Sequence, residues 1–263
     1  HFDAKINQAV VTVPAHFDEV ARGEIKMAAE LAGLKVLRLI SEPTAAAYAY
    51  GLESKAQGNY LVYDFGGGTF DVSLLRMHMG AFQVLATDGN SMLGGDDIDY
   101  ALANYIKDLY LKEADLGVIE DINSIELAID VKKKLTTKPE VILNINSFEI
   151  LITQERFNSI ALPFVNETIA IVKRVLESNQ NKGELRGIII VGGSTRLLLV
   201  KKLLLQNFPD IPLLCDVDPD KVVAFGAAFQ AHNLTNKIGD ILIDVTPLSL
   251  GIEVMGGFVE KII

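Results

Sequence analysis

The stretch from Tyr63 to Asp71 combines residue types that could hold a phosphate group and a metal ion. It reads YDFGGGTFD, so an apolar run ends at Asp64, three glycines follow, and Thr69 and Asp71 open a second apolar run. A strand, a glycine turn and a strand predict a hairpin. Consecutive backbone N–H groups in such a turn can bind an anion. Because two carboxylates beside a phosphate would repel it, the pattern also predicts bound Mg²⁺. The alternative is an ordinary tight turn with solvated aspartates.

A second candidate anion site is VGGSTR, which runs from Val191 to Arg196. The continuous apolar run 187–191 is typical of a strand buried on both faces. A strand that passes through glycines into a helix directs N–H groups and the positive helix end at a ligand. We also predict that Ser194 caps this helix. An ordinary glycine-rich turn is the alternative, and it becomes less attractive when two such elements occur in one chain.

Composition limits the class of protein. The chain has 263 residues, 49% of them hydrophobic, which suffices for one large domain or two lobes. Its net charge of −10 argues against nucleic acid or an anionic membrane as a general partner. The basic run Lys132–Lys134 is either a solvated helix face or a local phosphate patch.

Cysteine and histidine usage excludes two further kinds of site. The single Cys215 cannot form an internal disulfide and agrees with a reducing compartment. The four histidines lack the short spacings of zinc sites. No apolar stretch approaches the ~20 residues of a membrane helix, and no secretory leader is visible. We therefore expect a soluble, cytoplasmic protein.

Hydrophobic periodicity and breakers predict alternating strands and helices. The predicted strands are 10–13, 36–40, 60–64, 70–77, 82–86, 141–145, 148–152 and 187–191. The predicted helices are 18–33, 43–51, 96–113, 123–135, 154–178, one after Arg196, and 221–231. The three strands 60–64, 70–77 and 82–86 form a meander. The strands 141–145 and 148–152 form a hairpin that turns at Asn146-Ser147. Gly226 in the last helix predicts close packing. The short apolar run 240–244 is either an edge strand, which composition favours, or an interdomain linker.

Six motifs together resemble the DnaK-type seventy-kilodalton heat-shock chaperones, and the resemblance covers essentially the whole chain. These motifs are VVTVPAHF (10–17), SEPTAAAYAYG (41–51), YDFGGGTFD (63–71), GGDDID (94–99), IIVGGSTR (189–196) and DVTPLSLGIEVMGG (244–257). Two further stretches resemble the HscA branch, the chaperones of iron–sulfur cluster assembly. They are DPDKVVAFGAAFQA (218–231) and MGGFVEKII (255–263).

The resemblance implies an α/β protein with the actin-like ATPase fold, built of ribonuclease H-like lobes. Residues 1–54 would be the C-terminal part of lobe I, and 55–239 would be lobe II with an upper subdomain at 99–178. Residues 240–245 would be the interdomain linker, and 246–263 the start of a β peptide-binding domain. The chain would thus begin within lobe I, without its first phosphate hairpin and lysine. We expect the chain alone to bind nucleotide weakly and hydrolyse ATP poorly.

The same resemblance assigns site residues for ATP or ADP and Mg²⁺. The catalytic set is Glu42, Asp64, Thr69 and Asp71, with Asp64 and Asp71 holding Mg²⁺ through water. The phosphate turn is Gly66, Gly67, Gly68 and Thr69. The adenosine contacts are Lys132, Lys133, Thr136, Gly192, Gly193, Ser194, Arg196 and Asp220, with Arg196 stacked on adenine. Coupling between domains would involve Pro14, Arg22, Ile241, Leu242 and Ile243. One departure is Ile129, where many members carry Glu.

The implied function is ATP-dependent switching of affinity for a client peptide. The implied partners are an HscB-like J-domain co-chaperone and, as client, a scaffold of iron–sulfur assembly or an unfolded peptide. A general folding chaperone of the DnaK type is the first alternative. A sugar kinase or an actin-like filament protein would share the architecture. Both are disfavoured by the linker-like DILIDVTPLSLG (240–251), and no acceptor-sugar site is evident.

Overall fold

The computed structural model describes residues 6–15, 17–54, 57–78, 81–113, 123–146, 148–179, 183–236, 242–243, 251–254 and 258–261. The helices are α1 (Glu19–Leu31), α2 (Glu42–Ser54), α3 (Gly95–Glu113), α4 (Ser124–Leu135), α5 (Gln154–Glu177), α6 (Leu198–Asn207) and α7 (Val222–Asn236). The strands are β1 (Gln8–Val13), β2 (Lys35–Ser41), β3 (Gly58–Phe65), β4 (Phe70–His78), β5 (Ala81–Asn90), β6 (Glu140–Ile145), β7 (Phe148–Thr153), β8 (Leu185–Val191), β9 (Leu213–Leu214), β10 (Leu242–Ile243), β11 (Gly251–Val254) and β12 (Phe258–Lys261).

A six-stranded mixed sheet in the order β10-β5-β4-β3-β8-β9 forms the centre of the fold. Strands β3, β4 and β5 are successive antiparallel neighbours, which confirms the predicted meander. Strand β8 lies parallel to β3, and β9 lies parallel to β8. The ends of β3 and β8 therefore meet at one edge of the sheet, and the two predicted anion sites follow these ends.

The sheet is covered by helices on both faces, which confirms the predicted α/β class. Leu61, Tyr63 and Phe65 alternate along β3 into a core shared with α3, α4, α5, α6 and the β6–β7 hairpin. Tyr60 and Val62 lie on the opposite face, in a second core with α2. This alternation follows from the two-residue period of a strand, and burial on both faces accounts for the apolar run in β3.

Helices α2 and α7 pack closely against each other, as Gly226 predicted. A Cβ atom at Gly226 would overlap the backbone of Ala45. Tyr48 of α2 accepts a hydrogen bond of 2.5 Å from Asn233 Nδ2 of α7 and packs edge-on against Phe82 of β5, with ring centroids 4.9 Å apart. Helix α2 therefore connects the sheet to α7.

The strands β1 and β2 form a separate two-stranded parallel sheet. Residues of β1 contact α7, and α1 packs against β2. Nothing in this arrangement fixes the predicted boundary between lobes at residues 54 and 55, so that boundary stays a prediction.

Three local expectations need correction or fall partly outside the described residues. Helix α6 does not start directly after the glycine pair, because a short 3₁₀ helix at Gly193–Arg196 precedes it. Helix α7 continues to Asn236 instead of ending near residue 231. Ser147 of the predicted hairpin turn lies outside the described residues.

The run after α7 pairs with the sheet. Ile241 lies outside the described residues, but the backbone of Leu242–Ile243 pairs in parallel with Phe82–Gln83 at the sheet edge. Strand geometry is thus present in the predicted linker, whose role between domains stays a prediction. Farther on, β11 and β12 form an antiparallel hairpin. Among the described residues, no helix is both long enough and apolar enough to cross a membrane.

Candidate functional site

The turn between β3 and β4 is held in place by hydrogen bonds from the start of α3. The N–H of Gly66 donates to the carbonyl of Thr69 at 3.0 Å and closes the turn. The carbonyls of Gly66 and Gly67 accept the N–H groups of Gly95 (3.0 Å) and Asp96 (2.8 Å). The N–H groups of Gly67, Gly68 and Thr69 donate to no other described residue. These three donors are therefore available to an anion.

Glycine at position 94 is required by this contact. A Cβ atom on Gly94 would overlap the backbone of Gly67, so a larger residue would push α3 away from the turn. The N–H of Gly94 donates to Asp97 Oδ2 at 2.8 Å, which fixes the first turn of α3. The motif GGDDID thus places α3 against the glycine turn between β3 and β4.

Three carboxylates gather beside the turn. Asp64 and Asp71 are directly opposite each other in the β3–β4 pairing. Burial, together with the nearby charges of Glu42 and Asp71, raises the pKa of Asp64 to about 7. Glu42 is the first residue of α2 and directly follows β2. The predicted catalytic carboxylates therefore act on one another electrostatically, and a cation would stabilise their charged forms.

Gly192 allows the end of β8 to pass beside Asp64. Its φ of +87° is a conformation that favours glycine. A Cβ atom there would overlap the carbonyl of Phe65 and lie 2.8 Å from Asp64 Oδ1. Gly192 thus has a steric role between the two glycine elements. It is not part of the cavity wall described below.

Ser194 links the two glycine elements, and the prediction that it caps a helix is wrong. Its hydroxyl donates to the carbonyl of Gly66 at 2.8 Å. The residue before α6 is Leu197, and it makes no capping hydrogen bond through its side chain. The capping rule fails because the 3₁₀ helix moves Ser194 away from the start of α6 and toward the turn.

A cavity of about 320 Å³ opens next to these elements. Its wall brings together eight residues that the resemblance assigned to nucleotide binding, and one that it did not, Leu197. The eight are Gly67, Lys132, Lys133, Thr136, Gly193, Ser194, Arg196 and Asp220. Gly66, Gly68, Thr69 and the three carboxylates lie outside this wall. The cavity and the carboxylates are therefore two ends of one candidate site, with Gly67 at the junction.

Part of the cavity wall carries a partly buried ion pair. Lys132 Nζ donates to Asp99 Oδ2 at 2.6 Å and to the carbonyl of Gly95 at 3.0 Å. Burial raises the pKa of Asp99, although Lys132 opposes that shift. Among the described contacts of the basic run, Lys132 alone bonds to α3, whereas Lys134 forms an exposed pair with Asp130. The solvated-helix interpretation of the run is therefore wrong for Lys132.

Another part of the cavity wall carries an arginine with two exposed ion pairs. Arg196 Nη2 lies 2.8 Å from Asp218 Oδ1 and 2.5 Å from Asp220 Oδ2. The hydrogen bond that Arg196 donates to Asp220 raises the pKa of Arg196, and the hydrogen bond that the backbone N–H of Asp220 donates to Asp218 lowers the pKa of Asp218. These contacts hold the guanidinium at the cavity mouth, where a planar aromatic ligand could stack on it.

The carboxylates suit a hydrated metal ion better than a directly ligated one. The described residues contain no group of three His, Cys, Asp or Glu side chains that could ligate an ion directly. Mg²⁺ keeps several waters and takes only one or two carboxylates plus phosphate oxygens. Asp64 and Asp71, beside the free N–H groups of the turn, fit that type of binding.

The predicted coupling residues lie apart from the cavity wall. Arg22 Nε donates to the carbonyl of Phe17 at 3.0 Å, and Pro14 accepts the N–H of Phe17 at 3.2 Å. Strand β10 pairs with the opposite end of β5 from Gly89, which pairs with Asp71. At ~3.4 Å per strand residue, β10 is roughly 20 Å from the carboxylates.

Comparison with known proteins places this chain in a family. The Hsp70 protein family matches residues 1–263. The chain belongs to the Hsp70 family. It is 48% identical over 263 residues to a chaperone protein HscA homolog of Rickettsia bellii, covering 98% of this chain and 42% of that protein. It is 50% identical over 259 residues to the HscA homolog of Rickettsia prowazekii, with the same coverage. The resemblance to the family is confirmed, and the chain spans less than half the length of these relatives.

Two features of the candidate site were not predicted from the sequence. Leu197 lines the cavity, and Asp99 holds a lysine of its wall. Leu197 carries no distinguishing pattern, since it begins an apolar run. Asp99 belongs to GGDDID, where three acids sit at a helix start, and nothing local shows which of them points inward.

Proposed function

We propose that this chain forms the nucleotide-binding part of an HscA-type Hsp70 chaperone with the actin-like ATPase fold. ATP binding and hydrolysis would switch the affinity of the whole protein for a client peptide. The observation that carries the proposal is the cavity, because eight of its nine lining residues match nucleotide contacts of the family. Helices and turns that are far apart in sequence converge on it, as a ligand site requires.

In this proposal the cavity binds adenosine. Arg196 stacks on the base, while its ion pairs to Asp218 and Asp220 keep the guanidinium in place. The ammonium of Lys132, together with Gly193 and Thr136 of the cavity wall, binds the polar part of the nucleoside. Lys133 is exposed at the rim, where its charge attracts the phosphates.

The glycine turn binds the phosphates. The N–H groups of Gly67, Gly68 and Thr69, together with the Thr69 hydroxyl, donate to phosphate oxygens. Asp64 and Asp71 hold hydrated Mg²⁺, which neutralises phosphate charge. Glu42, at the start of α2, orients the attacking water together with Thr69. Catalysis then depends chiefly on positioning and charge neutralisation.

Partners and cellular role follow from the relationship to HscA homologs. The proposed partners are an HscB-like J-domain co-chaperone and a scaffold protein of iron–sulfur cluster assembly in the cytoplasm. Pro14, Arg22 and residues 241–243 would carry the nucleotide state to a peptide-binding domain. The pairing of β10 with β5 supports this, because it ties the run to the sheet that bears Asp71.

The test fills the cavity. In the full-length protein, Thr136→Trp should weaken ADP binding more than 50-fold by calorimetry, because Thr136 lines the cavity wall. Thr137→Trp is a matched control: both threonines follow α4 and hydrogen bond a helix carbonyl, but Thr137 is exposed and outside the wall. Thr137→Trp should stay within twofold of wild type. Equal ADP affinity for the Thr136 variant would refute the assignment of the cavity.

The chaperone role needs its own measurement. ATP turnover by the full-length protein should rise when an HscB-like co-chaperone and an iron–sulfur scaffold are added together. Stimulation by an unrelated unfolded peptide to the same extent would instead favour a general DnaK-type chaperone.

A further inference from the structure

Asp99 is a buried carboxylate that the predicted site does not include. It lies in the second turn of α3 and is only 4% exposed. One of its oxygens accepts the 2.6 Å bond from Lys132, and the other, Oδ1, has no hydrogen-bond partner among the described residues. Burying a charged group this incompletely satisfied is costly, so its presence calls for a function or a strong compensating contact.

The compensating contact is a cavity residue. Lys132 lines the cavity, and its ammonium is fixed by two acceptors on α3, Asp99 and the carbonyl of Gly95. An ammonium group has three donors. Two are used within the protein, which leaves one for an oxygen atom of a ligand in the cavity.

The pair of Lys132 and Asp99 is also connected to the glycine turn between β3 and β4. A Cβ atom on Gly95 would meet both Ser194 Oγ and Lys132 Nζ, so these groups converge on Gly95. The N–H of Gly95 and the hydroxyl of Ser194 both donate to the carbonyl of Gly66. The anchor of Lys132 therefore belongs to the same set of contacts that places the glycine turn.

Anchoring matters because a lysine side chain is flexible. Ordering a free lysine side chain costs free energy, because rotamer entropy is lost. A ligand that had to order Lys132 would lose that amount from its binding free energy, whereas a pre-organised ammonium avoids most of the loss. Asp99 supplies a charged anchor that the exposed Lys133 and Lys134 lack, since neither is bonded to α3 among the described residues.

We propose that Asp99 is a positioning residue for nucleotide binding, which acts by holding the Lys132 ammonium at the cavity wall and against the start of α3. This inference rests on the proposed function, because it takes the cavity to be the adenosine site. It assigns Asp99 no contact with the nucleotide itself.

The test is a double-mutant cycle on the full-length protein with ADP as the probe. Asp99→Asn keeps the size of the side chain and removes the charge. It should weaken ADP binding about tenfold by calorimetry. In a Lys132→Gln background the same substitution should change ADP affinity less than twofold, because its target is absent. A merely structural role of Asp99 would weaken binding equally in both backgrounds and would overturn the proposal.

Asp130→Asn is the matched control. Asp130 pairs with Lys134 at the same distance of 2.6 Å and on the same helix as Lys132, but both side chains are about half exposed. Its substitution should leave ADP affinity unchanged. Circular dichroism and thermal unfolding identify any variant that does not fold. If Asp99→Asn fails to fold, Asp99→Glu replaces it, and retention of wild-type affinity by a folded Glu variant together with loss in Lys132→Gln supports the anchor.

The outcomes also separate this inference from the proposed function. Failure of the wild-type protein to bind ADP would refute the proposed function. Binding of ADP by wild type and by Asp99→Asn with equal affinity would refute only the role of Asp99.

Discussion

The two ends of the candidate site differ in how their charges are balanced. At the cavity end, the protein pairs its own groups: Lys132 with Asp99, and Arg196 with Asp218 and Asp220. At the carboxylate end, Glu42 and Asp71 raise the pKa of Asp64, and no described cation pairs with Asp64. At the cavity end, Lys132 and Arg196 are thus paired within the protein before any ligand binds. The carboxylate end is stabilised by whatever brings positive charge to it.

From this difference we infer that the cavity end contributes mainly to ligand affinity and the carboxylate end mainly to catalysis. A cavity that is organised in advance loses little free energy on ordering, so it is suited to holding the nucleoside. A cluster of carboxylates costs folding free energy and suits a cation that arrives with the phosphates. Substitutions at the two ends should therefore have opposite effects on the free energy of unfolding.

The largest effect is expected from Lys132→Met, which breaks the buried pair and leaves the Asp99 charge uncompensated. The free energy of unfolding should fall by about 3 kcal/mol at neutral pH. Burial already raises the pKa of Asp99, and loss of Lys132 should raise it further. A carboxyl whose pKa is raised in the folded state makes the protein less stable as pH increases. The loss of unfolding free energy caused by Lys132→Met should therefore shrink as pH is lowered.

Urea unfolding followed by circular dichroism at several pH values measures this deficit. Lys134→Met is the control, because its exposed pair with Asp130 is worth at most about 0.5 kcal/mol. Equal losses for the two lysine variants would show that the Asp99 pair contributes no more than a surface pair.

An intermediate effect of opposite sign is expected from Asp64→Asn without divalent cation. The folded protein binds more protons at Asp64 than the unfolded chain between the ordinary pKa near 4 and about 7, so wild-type stability falls as pH rises across that window. Asparagine removes this loss and should stabilise the protein by about 2 kcal/mol at pH 8, with a smaller gain at pH 5. ATP turnover should nevertheless be lost.

Thermal unfolding in a chelator, at both pH values, compares the two proteins. Asp88→Asn serves as a control of opposite sign, because the Arg174 hydrogen bond lowers the pKa of Asp88. That carboxylate contributes stability above its ordinary pKa, and the contribution disappears in the variant. A less stable Asp64→Asn protein would contradict the view that the carboxylate end is strained without a cation.

Local sequence patterns predicted the elements because each one follows from short-range periodicity. The apolar runs on either side of the three glycines were enough to place the hairpin and its turn. Ser194 shows where local rules stop: its hydroxyl reaches Gly66, 128 residues earlier in the chain, and this contact replaces the expected helix cap.

Asp99 shows the same limit at the candidate site. Its partner Lys132 is 33 residues away on another helix, so no periodicity connects the two. The family resemblance indicated Lys132 as a ligand residue but gave no reason for its position. Similarly, the hydroxyl of Tyr48 on α2 accepts a hydrogen bond from Asn233 on α7. Long-range polar contacts of this kind become visible only in three dimensions.

The smallest effect on stability, and a clear one on binding, is expected from Arg196→Ala. Its ion pairs are exposed, with 48% of the Arg196 side chain accessible, so its loss should change the free energy of unfolding by less than about 0.5 kcal/mol. Loss of a stacked guanidinium at a partly exposed site should lower ADP affinity about fivefold, or about 1 kcal/mol.

Calorimetry with ADP and with inorganic phosphate distinguishes the base contact from a general charge effect, because phosphate binding should stay within twofold. Arg186→Ala is the control, since the one ion pair that Arg186 forms among the described residues is an exposed contact of 3.5 Å with Glu184, and Arg186 is absent from the cavity wall. A similar loss of ADP affinity in both variants would show that Arg196 acts through net charge, and it would remove the distinction between the exposed wall and the rest of the surface.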